Sequence, residues 1–246
     1  MIRSWRRVLH QYRRRDWREG LTERGLIRRG QVWLFAAGLA AIALAMFSPI
    51  AALADKLFVM HMLQHILLIM VAPPLLLLGV PAPLIRLLIV EARLKGVLTR
   101  LTDPLFAYAL FVVNLYLWHI PAAYEAALHD ELVHAVEHAA FFYTAVLFSW
   151  RLIDPTRGWF PLWRWPPAKW IYLLVAAPPS YVLGSILWVS NAVLYPTYAQ
   201  APRVWDLTAL QDQHMGGLLM WLQGWMVMML SLIAFFRWYD PQTEQA

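Results

Sequence analysis

The chain has 246 residues, is 61% hydrophobic and only 15% charged, and carries a formal charge of +6. A soluble domain of this size usually carries about 25% charged residues, so a water-soluble globule is excluded and one membrane-embedded, all-α domain is expected. No cysteine is present, which rules out disulfides, iron–sulfur clusters and thiolate metal sites and leaves His, Met, carboxylate or backbone to hold any metal.

Residues 1–30 form a basic tail with ten Arg against three acids. Trp5, Tyr12 and Trp17 in it could stack on nucleic acid, but attraction to anionic lipid headgroups beside a membrane span is the simpler account, and no nucleic-acid partner is expected. A transmembrane domain follows over 31–238, then a C-terminal tail over 239–246. Runs of about 20 apolar residues predict six spans, at 31–50, 57–79, 104–120, 131–150, 169–189 and 213–236. Pro81, Pro83, Asp103, Pro104, Pro121, Asp154, Pro155, Pro166 and Pro167 punctuate the gaps. Ala52-Leu53-Ala54 resembles a signal-cleavage site, but the preceding apolar stretch is longer than the roughly 7–15 residues of a signal peptide, so a retained first span is preferred.

Basic residues orient the spans. The tail, loop 80–103, loop 151–169 and Arg237 place 19 Lys and Arg on one side, against Lys56 and Arg203 on the other. The positive-inside rule therefore predicts both termini cytoplasmic, with outer loops near 51–56, 121–130 and 190–212. IMVAPPLLLLG (69–79) and LVAAPPSYVLG (174–184) echo one another in oppositely directed spans. An inverted repeat would place them so, although two proline kinks explain them as well.

Seven of the eight histidines fall on the predicted outer side: His61, His65, His119, His129, His134, His138 and His214. His61/His65 and His134/His138 are i, i+4 pairs, which stack two imidazoles on one helix face. His65 and His138 each lie on the order of 10 Å below their helix starts, so the two pairs can face one another. Ionisable groups at such depth usually line a protein interior or cavity. The metal-ligating candidates are His61, His65, His134 and His138, with His119 and His214 as additions; His129 reads better as a surface residue. Met60, Met62, Gln64, Glu137, Asp212, Gln213 and Met215 lie nearby in the sequence. Imidazole and thioether donors suit copper, and zinc or haem iron remain open.

Met215, Met220, Met226, Met228 and Met229 on the sixth span could form a thioether conduit, but adaptable apolar filler is the simpler reading. Tryptophans near span ends read as an interfacial belt. Gly216, Gly217 and Gly224 predict a close approach between the sixth span and a neighbour. Residues 191–198 read as an ordered outer loop that caps helix ends. Nucleotide-binding loops, a serine nucleophile elbow and a zincin motif are absent, VHAVEH (133–138) having the reverse order of the last. Enzyme chemistry is not expected.

HMLQHILLIMVAPPLLLLGVP (61–81), WHIPAAYEAALHDELVHAVEHAAFF (118–142), NAVLYPTYAQAPR (191–203) and DQHMGGLLMW (212–221) together resemble the motifs of the caa3-type cytochrome c oxidase assembly factor family, the CtaG-like integral membrane proteins. His61, His65, His119, His134, Glu137, His138, Asp212 and Gln213 fall on those motifs. The resemblance implies a multi-pass protein of the bacterial inner membrane that helps copper reach a haem–copper oxidase subunit. Members often show a further span, which is not found here. A b-type haem held between His65 and His138, or a copper permease, are the alternatives.

Overall fold

The computed structural model describes residues 28–156 and 166–239, which form helices joined by short connections. In chain order these are α1 (Arg29–Phe47), α2 (Pro49–Ala54), α3 (Phe58–Ile66), a π-helical turn (Leu67–Val71), α4 (Ala72–Gly79), α5 (Ala82–Glu91) and α6 (Lys95–Leu101). Then follow α7 (Pro104–His119), α8 (Pro121–His129), α9 (Glu131–Ile153), α10 (Pro166–Val189), α11 (Pro196–Gln200) and α12 (Ala209–Tyr239).

Four stretches are long and apolar enough to cross a bilayer: Arg29–Ala54, Phe58–Gly79, Glu131–Ile153 and Ile171–Val189. The pair α6 and α7, bent by 62° at Thr102 and Asp103, makes a fifth if it counts as one broken span. The protein is thus an all-helical, multi-pass membrane protein with four to five such stretches among the described residues. The 31-residue α12 occupies the position of the predicted sixth span. Two predicted loops are in fact helical: 80–103 contains α5 and α6, and 121–130 contains α8. Most of the basic tail, the C-terminal residues from 240 on, and the side chains of Met226, Met228 and Met229 lie outside the described residues.

Proline shapes the spans, and other helices repair what it breaks. Pro49 lacks the N–H that would bond the Ala45 carbonyl, and Gln64 Nε2 on α3 donates to that carbonyl instead, at 2.9 Å. Pro179 leaves the Val175 carbonyl without its helical partner, and Tyr108 Oη on α7 donates to it at 2.9 Å. Inside a bilayer no water can do this. In the second span the chain meets Pro73 and Pro74 by widening into the π-turn just before them.

Helix starts are capped. Asp103 accepts from Leu105 and Phe106 at the head of α7, and Asp130 from Leu132 and Val133 at the head of α9. The head of α3 has no cap of its own. Asp212, fully buried on α12, supplies one across the bundle, accepting from Phe58 N at 2.7 Å and Val59 N at 3.0 Å.

Packing explains the glycines. A Cβ on Gly184 would stand 2.6 Å from the Gly217 carbonyl oxygen, and one on Gly217 2.7 Å from that of Gly184, so α10 and α12 touch backbone to backbone. Gly216 lies under the Phe58 ring. Outward-facing apolar residues such as Trp33, Phe47 and Leu105 are 75%, 87% and 79% exposed, as expected of a surface that meets lipid rather than water.

Candidate metal centre

The second span and α9 run side by side and bring the two histidine pairs together. On α9, Glu137 and His138 lie three and four residues after His134, so all three share one face. His61, His65, Glu137 and His138 each offer one ligand atom, and the four atoms lie within 4.8 Å of one another. His61 Nε2 and His65 Nε2 are 2.9 Å apart. The Glu137 carboxylate sits 3.8 Å from the first and 3.7 Å from the second. All four residues are at most 6% exposed.

Around this centre, polar atoms are left over. Both Glu137 oxygens, His65 Nδ1, His138 Nε2, His134 Nε2 and His119 Nε2 are shielded from solvent without a hydrogen-bond partner. A buried carboxylate without a hydrogen-bond donor is costly on its own, and a cation among these groups satisfies several of the unpartnered atoms at once. The donors present, three imidazoles and one carboxylate, are those that hold Cu(II) or Zn(II). They therefore fit a metal ion.

The other predicted residues lie at graded distances. His134 is half-buried, its ring centroid 4.2 Å from that of His138 and 5.4 Å from that of His61. His119 is buried at the end of α7, where its Nδ1–H donates to the Leu115 carbonyl at 2.7 Å and its ring lies 6.2 Å from Phe141. His214 is not brought in: its Nε2–H donates to the Ser190 carbonyl at 2.9 Å. His129 is exposed and donates from Nδ1–H to the Glu125 carbonyl. Of the methionines noted beside these histidines, Met62 is buried and packs towards Gly216, and Met215 is 45% exposed. Glu137, noted in the sequence as a nearby polar group that falls on the family's motifs but not as a ligand candidate, takes a place among the donors.

Three tyrosines, not among the candidate residues of the sequence reading, hold the rim of the centre. Tyr124 is carried by α8, and Tyr195 and Tyr198 by the segment that leads into and through α11. Tyr195 Oη donates to the His119 carbonyl and Tyr198 Oη to the Ala54 carbonyl, both at 3.0 Å. Tyr124 stacks on Tyr195 with ring centroids 4.1 Å apart. Burial holds the Tyr124 and Tyr198 phenols well above their ordinary range, so both stay protonated.

That fixes a proton pattern. Tyr198 has a single O–H and gives it to Ala54. Its oxygen must then accept from its other two neighbours, Tyr124 Oη and His61 Nδ1, each at 3.2 Å. His61 thus carries its proton on Nδ1 and turns a bare Nε2 to the centre. Leu115 imposes the same tautomer on His119, because a carbonyl can only accept.

A multi-pass helical membrane protein with a buried imidazole–carboxylate cluster near one end of its bundle is the class these features define. The chain belongs to the cytochrome c oxidase caa3 assembly factor family (Caa3_CtaG), which it matches over residues 7–240. It is 28% identical over 243 residues to the uncharacterized protein Mb0105 of Mycobacterium bovis, covering 89% of this chain and 36% of that one. The same values hold for the uncharacterized protein MT0111 of Mycobacterium tuberculosis. The chain therefore spans about a third of the length of these curated relatives. No solved structure matches it.

Proposed function

We propose that this protein binds copper at the outer face of the bacterial inner membrane and passes it to a subunit of a haem–copper oxidase during assembly. In this reading six spans cross the membrane, both termini are cytoplasmic, and the centre opens to the periplasmic side. The protein is a carrier of its metal and not an enzyme, and copper is its cargo. His61, His65, Glu137 and His138 hold the ion, with His119 at the edge of the set.

The observation that carries this reading is the buried Glu137 carboxylate, without a hydrogen-bond donor, among three converging imidazoles. Family membership points the cargo toward an oxidase. Among divalent ions such donors favour Cu(II) over Zn(II).

Four converging protein donors suit a lone ion better than a haem, which brings four in-plane nitrogens of its own and asks for two axial ligands. A permease is also less well supported. Inward of the centre lies a partly open, largely apolar cavity of about 400 Å³ lined by residues such as Ile69, Met70, Phe111 and Phe148, with no His, Asp or Glu among them.

Metal analysis and electron paramagnetic resonance on the purified chain loaded with Cu(II) test the proposal. Stoichiometric copper with nitrogen coupling is expected. Replacing His65 and His138 together by Ala should abolish it and lower oxidase activity in the host membrane. A wild type that takes up no copper, with oxidase activity unaffected by the double replacement, would sink the idea.

A further inference from the structure

The four converging donors are buried, so a hydrated ion has no direct route to them. His134 spans the gap. It sits one turn before His138 on α9, half-exposed at its outer edge, while its Nε2 is shielded and without a partner. Its ring lies against both His138 and His61, yet it is not one of the four. Farther out, Asp55 at the end of α2 is exposed and directly follows Ala54, whose carbonyl is joined through Tyr198 to His61. Exposure thus falls in steps from carboxylate to lone imidazole to closed cluster.

We propose that Asp55 and His134 form the loading path of the centre. Asp55 concentrates cations at the mouth, and His134 is the transient ligand that takes an ion there and passes it to His61 and His138. This rests on the metal-binding reading above. A divalent ion sheds its water in stages, and each lost water needs a replacing donor, because a bare ion in a low-dielectric site is prohibitively costly. His134 supplies that donor midway. A ligand used only midway lowers the barrier in both directions, so release to an acceptor uses it too. That is what delivery requires of a site too buried for an acceptor to reach.

The test uses the full-length protein in lipid nanodiscs, with Cu(II) as the probe. Stopped-flow absorbance follows uptake, and loss to excess EDTA follows release. His134→Ala should slow uptake and release alike, by about tenfold or more, which corresponds to one lost transition-state contact; the equilibrium affinity should move far less than either rate. Asp55→Asn, at an exposed position that leaves the fold alone, should slow uptake mainly, with the difference vanishing at high salt. A permanent ligand behaves oppositely: its loss speeds release. Faster release from His134→Ala, with an affinity loss as large as that of His61→Ala, overturns the path. So do unchanged rates in both variants. If the wild type takes up no copper, the metal-binding reading falls and the path with it, whereas normal binding with unaltered rates overturns the path alone.

Discussion

At the scale of single residues, the centre depends on which nitrogen of His61 carries the proton. Metal ligands of this kind donate their other ring N–H to a fixed acceptor, and losing that acceptor typically costs 10–100-fold in affinity. Tyr198 is that acceptor here, locked in the role by the Ala54 carbonyl that takes its own proton. Tyr198→Phe should therefore weaken Cu(II) binding by about 10–100-fold and release His61 into a mixture of tautomers, visible by nitrogen-15 NMR on the metal-free protein. Tyr124→Phe, which leaves both Tyr198 bonds to His61 and Ala54 in place, should keep the tautomer. A His61 proton already on Nε2 in the wild type contradicts the assignment. The NMR readout needs no metal, so it separates positioning from any effect on folding.

At the scale of elements, the spans are joined by polar atoms that repair one another's ends. Asp212 illustrates this: its carboxylate caps a helix 154 residues away in sequence. Gln213 beside it accepts from Leu194 N at 2.7 Å and donates to the Leu187 and Ala192 carbonyls, tying α12 to the loop that carries Tyr195 and Tyr198. Asp212→Ala strips two N–H groups at the head of α3, within one turn of His61. A lost cap costs about 1–2 kcal/mol, and buried unpaired donors add about 1–3 kcal/mol each. Thermal unfolding in detergent should reveal a clear loss of stability, with Asp212→Asn retaining much of it; equal melting of wild type and Asp212→Ala would show that the cap contributes nothing. These joints also mark the limit of sequence reading. Apolar runs locate the spans because the bilayer forces some 20 apolar residues into each helix. The i, i+4 histidines are legible because helical periodicity places them on one face. Asp212, Gln64 and Tyr198 are polar residues whose partners are distant in sequence, and nothing local announces those partners. Glu137 stands in plain view beside His138, but only the packing of α3 against α9 shows that its carboxylate turns to the imidazoles. The short helices α5, α6 and α8 were missed for a different reason: they lie in segments whose prolines and charges read as loops.

For the whole molecule, the decisive question is which way the centre faces. Delivery to an oxidase from the periplasmic side requires the end of the bundle bearing α2, α8 and α11 to face outward. The placement of 19 basic residues against two is the argument for it. The absence of cysteine makes a direct test available, since any single introduced thiol is unique. Ala126 on α8 is exposed at the proposed outer end, near the centre's rim. Gly96 on α6 is exposed and has open space where a side chain would stand, between Arg93 and Arg100 on the proposed inner side. In intact spheroplasts a membrane-impermeant maleimide should label Ala126→Cys, and Gly96→Cys should react only after the membrane is opened. The reverse pattern would turn the histidine centre to the cytoplasm and require copper to be collected inside the cell. Labelling of both in sealed spheroplasts would put α6 on the outer side and remove the span assigned to α7. The expected pattern also bears on the loading path, because Asp55 and His134 serve delivery only if their mouth opens to the compartment where the oxidase subunit receives its metal.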